Sequence, residues 1–298
     1  MIINRDKHNL IPKVLLTVLT VSGVAIFSGQ TVTAQTNLQS YRVLVNSDRD
    51  TINPDQALTL REAIEIVNNT LTWDDLSPVE QKQVTVINQA QASRIEFALS
   101  APVKIELQET LPPLLSPGLV IDGTTHPDYD PKKIATVEIP IPIPVVSLTA
   151  AEGKNVFRGL TISGDRITVK GLSIYGFSQP NQPTDTTPGA DIVIGSRLPV
   201  SEDLSASLPD HSPQEVEIID NWLGLPPDES ITEIPSSFGV WLFDGVNTKI
   251  QRNRIEHHGG SAILTSVTAE KSKIKENIIV GNGLAGMPHA IYLEGQIQ

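Results

Sequence analysis

From Arg94 onward the chain is written in short runs that alternate apolar and polar residues. RIEFAL, VKIELQ, GLVIDG, NVFRGLTI, ITVKGLSI, ADIVIG, VEIIDNWLG, GVWLF, TKIQRNRI, SAILTS, SKIKENII and HAIYLEG follow one another, parted by Gly, Asn, Asp and Pro. Period-two alternation between turn residues predicts strands, and no helical period runs through this region. Many short strands also suit a sandwich or barrel, but here the strands repeat. The frame Ile-x-x-Asn-x-Ile fits Ile250, Asn253 and Ile255, then Ile274, Asn277 and Ile279, and with one conservative change Ile218, Asn221 and Leu223. Asn253 and Asn277 are 24 residues apart; Asn221 and Asn253 are 32 apart, with the excess in the Pro- and acid-rich run PPDESITE. Leu172 takes the Asn place in VKGLSI. A second frame, Val240/Leu242, Ile263/Thr265 and Ile291/Leu293, repeats beside the first. Two strand frames sharing one period predict an all-β fold, a parallel β-helix, in which each coil buries its apolar face against the next. Asn221, Asn253 and Asn277 are expected to stack as a ladder at an inward corner, where each buried amide bonds turn backbone and its neighbour.

The segment before the coils reads differently. Tyr41–Asn46 is a strand candidate. Thr59 and Glu62 form a capping box before Leu60, Ala63, Ile64 and Val67, which share one helical face. A second helix start is expected at Ser77-Pro78-Val79-Glu80, inside a polar stretch, Asn68 to Ser93, that reads as a surface insertion. The organisation is therefore a leader over 1–34, a helix-bearing N-terminal cap over 35–94, and coils over 95–298. Ile291 to Gln298 stop inside a coil without a polar cap. The expectation is either a shortened version of a longer protein or an open end that meets a partner, self-association included.

The order LTLREAIEIVN, RIEFAL, KIELQETLPPL, VIDGTTHPDYD, GLTISGDRITVKGLSIYGF and NWLGLPPDE resembles secreted bacterial right-handed parallel β-helix repeat proteins, of pectate-lyase-like architecture. The resemblance covers roughly residues 40–298. It implies the right-handed coil and export, and it implies no chemistry, because fold does not fix function.

Charge and leader narrow the partners. Arg5, Lys7 and Lys13 precede the apolar run Val14–Phe27, and Val32-Thr33-Ala34 offers small residues for cleavage, so residues 1–34 read as a signal peptide. Export to periplasm, outer surface or medium follows, with no membrane span after cleavage. Removing Arg5, Lys7, Lys13 and Asp6 takes the net charge from −12 to −14. So acidic a chain lacks the clustered Lys and Arg that nucleic acid or anionic lipid demands. It has no cysteine, so burial and hydrogen bonds must hold the fold in an oxidising compartment.

No catalytic constellation stands out. Glycoside hydrolysis needs two carboxylates opposed across a sugar, and nothing at coil spacing supplies them. Arg252, Arg254, Lys273 and Lys275 fall on neighbouring coils, with Arg254 aligned to Ile278, and read first as a solvated strand face. Asp122, Asp128 and Asp130 surround DGTTHPDYD; such oxygen-rich loops can hold Ca²⁺, but turn chemistry accounts for Asp122-Gly123 and Asp130-Pro131 without a metal, and no cofactor is expected. Adjacent His257 and His258 read as a loop, and no Ser-His-Asp arrangement is visible. The suggestive feature is aromatic. If Val240 and Leu242 point inward, Trp241 points outward, as does Tyr292 two coils later with Leu264 between; Trp222 is outward on another face. Exposed aromatic stripes mark binding sites, though a loop or partner chain covering them fits equally. The expected function is a non-catalytic envelope or surface protein binding polysaccharide or another cell-envelope component through Trp241, Tyr292, Trp222 and Arg254. A polysaccharide lyase or hydrolase, and a structural or adhesive rod, are the alternatives.

Overall fold

The computed structural model describes residues 39–100, 103–178, 189–196, 198, 208–287 and 289–295. The leader read into residues 1–34 lies outside them. The fold is mostly β, with few helices and three long sheets of eight, six and five strands. Pairing between strands is parallel except where Ser40–Val45 meets Val84–Ile87.

The chain visits the sheets in rotation. Thr168–Lys170 lies in the eight-stranded sheet, Leu172–Tyr175 in the six-stranded and Ala190–Ile194 in the five-stranded. Glu217–Ile219, Trp222–Leu223 and Phe238–Val246 repeat the circuit, as do Lys249–Gln251, Arg254–Glu256 and Ile263–Glu270. Lys273–Lys275, Ile278–Val280 and Ile291–Tyr292 are the terminal strands of their sheets.

Register explains why the alternation is so regular. In the eight-stranded sheet Val43, Ile95, Ile121, Val169, Ile218, Ile250 and Ile274 are successive partners, all β-branched. Ile105, Leu148, Ile174, Leu223, Ile255 and Ile279 do the same in the six-stranded sheet. Leu160, Ile192, Val240, Ile263 and Ile291 line up in the five-stranded one. Strands about 4.8 Å apart put each side chain in contact with its equivalent above and below. All of these residues except exposed Ile291 join one hydrophobic core, each fully buried member contributing about 1.5–3 kcal/mol.

The corners set the remaining sequence rules. Between the eight- and six-stranded sheets the chain bends through a residue of positive φ, namely Gly171 (68°), Asp220 (55°), Arg252 (55°) and Glu276 (55°). A non-glycine residue there costs about 1 kcal/mol or more, and at Asp220 and Arg252 the Asn of the neighbouring strand, Asn253 and Asn277, helps to offset it. Asn221 Oδ1 accepts from Leu172 N–H at 3.1 Å, Asn253 Oδ1 from Asn221 N–H at 3.0 Å, and Asn277 Oδ1 from Asn253 N–H at 2.9 Å. Their amide nitrogens donate to the carbonyls of Val169, Ile218 and Ile250. The orphaned backbone groups of each bend thus bond to the Asn of the next strand.

At the N-terminal end the helix Leu60–Val67 starts at the Thr59–Glu62 capping box and packs Leu60, Ala63, Ile64, Ile66 and Val67 into the core. Buried Arg61 locks it there, with two bonds to Asp50 at 2.7 and 2.8 Å and two to the carbonyls of Glu109 and Thr110. Two expectations change here. Ser77 and Glu80 do form reciprocal bonds, but only a 3₁₀ turn follows, Glu80–Gln83, since EQKQ has no apolar face to bury. Nor is Asn68–Ser93 merely a surface insertion: its strand Val84–Ile87 pairs with Ser40–Val45 and forms the edge of the eight-stranded sheet.

Candidate functional site

Outward side chains of the six-stranded sheet fall in two rows. The first reads Lys104, Ser147, Ser173, Trp222, Arg254, Ile278, and the second includes Glu106, Thr149 and Tyr175. The connection that precedes Val146–Ala150 folds over part of this face. Ile141 packs with Trp222 and Leu225, and Ile139 and Ile143 lean on them. Ile143 N–H donates to Lys133 O at 2.8 Å, and Ile134 and Pro142 form an antiparallel bridge that closes the flap.

Two expectations change on this face. Trp222 does point outward, yet it is fully buried. Arg254 is not a solvated residue: it is 8% exposed, its guanidinium lies 4.6 Å over the Trp222 ring, and it pairs with Glu256 at 2.7 Å and Glu229 at 2.8 Å. Alternation along a strand fixes direction, while the length and polarity of the connections decide exposure.

Beyond the flap the same face opens into a groove of about 800 Å³. Its floor is Thr149 and Tyr175, flanked by Lys104 and Glu106 from the strand Val103–Leu107. One wall is the Glu152–Asn155 turn; the other is Thr232, Glu233 and Ile234. The second wall falls in the PPDESITE excess and its continuation, so the longer 32-residue circuit is what builds the groove. Gly176 (φ 83°) turns the chain away from the floor, and a Cβ there would come within 2.7 Å of Thr149 Oγ1.

Charges in the groove nearly balance. Lys104 pairs with Glu106 at 2.5 Å; Lys154, Glu152 and Glu233 complete the rim. The Tyr175 hydroxyl is pushed up to about 12, by burial first and then by the nearby negative charges of Asp228 and Glu106. It is therefore a neutral donor and acceptor at any working pH, attached to a half-buried ring. Sequence reasoning missed Tyr175, although the signal was present: Leu172 and Ile174 point inward, so Tyr175 points outward by the logic applied to Trp241.

On the five-stranded sheet Trp241, Leu264 and Tyr292 do fall in register, but they make no exposed stripe. Trp241 is 2% exposed, packed with Val193, Phe238 and Leu264, edge-on to Phe243, with Nε1 donating to Ser266 Oγ at 2.8 Å. Tyr292 is exposed and stacks on His289.

Asp122 is buried, paired with Arg94 and Lys170 at 2.9 Å each, and caps Thr124 N–H. Among the described residues no group of three or more acidic, His or Cys side chains could hold a metal. His257 takes a turn conformation (φ 60°). Contrary to expectation, a Ser, a His and an Asp do meet. His258 Nε2 lies 2.8 Å from Asp191 Oδ2, and the Ser236 hydroxyl bonds Asp191 Oδ1. The order is wrong for a nucleophile: Ser236 gives its proton to the carboxylate rather than to the imidazole, and all three are fully buried.

Among the described residues no helix is long and apolar enough to cross a membrane. No protein-family model matches the chain, and no curated protein is significantly similar to it in sequence.

Proposed function

We propose that the chain is an exported right-handed parallel β-helix protein that binds polysaccharide, without cleaving it, in the groove beside Tyr175. The coil reading is supported by the fixed rotation through three parallel sheets and by the strong right-handed bias of connections between parallel strands. Export is supported by the leader pattern of residues 1–34.

The groove is the observation that carries the binding reading. A half-buried aromatic ring sits among hydroxyl, amide and paired charged groups in a concave site, and apolar surface with a few convergent polar groups is the usual make-up of a ligand site. With positive charges already matched by Glu106, Glu152 and Glu233, it suits an uncharged, hydroxyl-rich polymer better than a polyuronate. Glu106, held by Lys104, is poorly placed to act as an acid or base.

The test is a panel of neutral and acidic polysaccharides, with and without Ca²⁺, read by calorimetry and by product chain length. Binding of a neutral polymer without shortening is expected, weakened about tenfold or more by Tyr175→Ala. Wild-type affinity in Tyr175→Ala would remove the groove from consideration. Shortened product would replace the binding reading with an enzymatic one.

A further inference from the structure

A polar chain, fully buried except at half-buried Asn282, runs from Asn282 through His258 and Asp191 to Ser236. Asn282 Oδ1 accepts from the backbone N–H of His258 at 3.1 Å, while Nδ2 donates to Ile255 O at 2.9 Å. The backbone therefore fixes which way this amide points. The same Oδ1 lies 2.7 Å from His258 Nδ1, so Nδ1 must carry a hydrogen. At the other end, the Ser236 hydroxyl accepts Phe177 N–H at 2.9 Å, which leaves its own proton for Asp191 Oδ1. Only one proton remains to be placed, between His258 Nε2 and Asp191 Oδ2. Wherever it sits, the pair is net neutral, as a fully buried pair must be to avoid an uncompensated charge. Burial also pushes the Asp191 carboxyl above the ordinary carboxylate range, against the pull of His258 and Ser236.

Ser236 stands where the Thr232–Ile234 wall meets the chain leaving the floor strand. Phe177, whose N–H it accepts, lies between Gly176 and Ser178, and Ser236 follows Ile234 by two residues; all three neighbours line the groove. The far end of the same wall is tied by Glu229 to Arg254 at 2.8 Å. Thr232, Glu233 and Ile234 therefore span a bridge between two anchors.

We infer that Ser236 is a positioning residue for the groove: its hydroxyl, oriented by the neutral Asp191–His258 pair, clasps the wall Thr232–Ile234 to the floor beside Tyr175. The consequence for ligand affinity rests on the binding reading above; the clasp itself does not.

The test is hydrogen exchange on the full chain, with affinity for cellohexaose as a neutral glucan probe. Ser236→Ala should raise exchange about tenfold in residues 229–237, leave Ile250–Ile255 unchanged, and weaken any cellohexaose binding several-fold. Asp191→Asn should behave like wild type, because its Oδ1 accepts from Ser236 and its Nδ2 donates to a His258 protonated on Nδ1. Asp191→Ala should open the wall as Ser236→Ala does. Unchanged wall exchange in Ser236→Ala overturns the clasp. So does opening in Asp191→Asn equal to that in Asp191→Ala, since the pair would then need its charge. Wall opening with no cellohexaose binding by wild type would uphold the clasp and count against a neutral glucan in the groove.

Discussion

The six-stranded sheet presents one outer face with two fates. At Trp222 it is roofed by Ile139, Ile141 and Ile143, with Arg254 over the same indole; at Tyr175, Lys104 and Glu106 it lies open. The strands are built alike on both sides, with apolar residues inward and the register unbroken. The connections differ. The roofing segment carries the apolar alternation IPIPIPVV, whose isoleucines have a tryptophan to cover, whereas the wall segment PPDESITE is polar. An aromatic residue on the outside of a stacked sheet is thus a core residue or a ligand platform according to its neighbouring loop.

The largest expected difference between the two halves is in stability. Trp222→Ala would remove a fully buried indole from beneath the flap, and about 3–5 kcal/mol should be lost. Thermal unfolding of this variant beside Tyr175→Ala measures the contrast directly. A loss below about 1 kcal/mol at Trp222 would mean that the flap collapses onto the sheet and that the covered half is less tightly built than its burial implies.

Arg254 gives the next largest effect. Truncation to Ala would strip the cation–π contact and leave Glu256, 7% exposed, without its partner. A cost of about 2–4 kcal/mol is expected from the stranded carboxylate. The double variant Arg254→Ala/Glu256→Gln should recover part of it, because the charge is then gone; equal stability of single and double variants would show that packing on Trp222, not the ion pair, carries the energy.

A smaller and pH-dependent effect lies at the buried Asp191–His258 pair. Asp191 binds a proton more tightly folded than unfolded. Stability from this group is thus fully present below the ordinary aspartate range, about pH 4, and is lost as pH rises through the folded-state value. Asp191→Asn keeps the hydrogen-bond geometry without the titration. Its stability relative to wild type should therefore improve as pH is raised above about 4 in chemical denaturation curves. A flat difference across that range would contradict a raised carboxyl.

How far the sequence could reach follows from these particulars. Positions such as Ile218, Ile250 and Ile274 were legible because stacking forces equivalent residues into contact, which leaves a period in the chain. The Asn corner was legible for the same reason. Trp222 and Trp241 show the limit: their direction was readable, but their burial depends on residues distant in sequence, Ile141 for one and Phe238 and Leu264 for the other. The groove was missed since its parts, Glu106, Tyr175 and Glu233, belong to three different circuits and share no spacing. The one clue was the 32-residue interval, an insertion whose excess becomes a wall. Asp191, Ser236 and His258 likewise stand apart in the chain and meet only through register and a turn.

Tyr175 should show the smallest effect on folding and the most specific one on binding. Its ring is half-buried at the floor of an open groove and its hydroxyl stays neutral, so Tyr175→Phe deletes one donor while keeping the stacking surface. A stability change within about 0.5 kcal/mol is expected for Phe, with neutral-polysaccharide affinity reduced a fewfold; Tyr175→Ala should reduce it much further. If Phe and Ala weaken binding equally, the hydroxyl rather than the ring face contacts the ligand, and the site is a hydrogen-bonding cleft. If neither variant alters binding while Trp222→Ala abolishes it, the flap opens in solution, and the division into a covered and an open half fails.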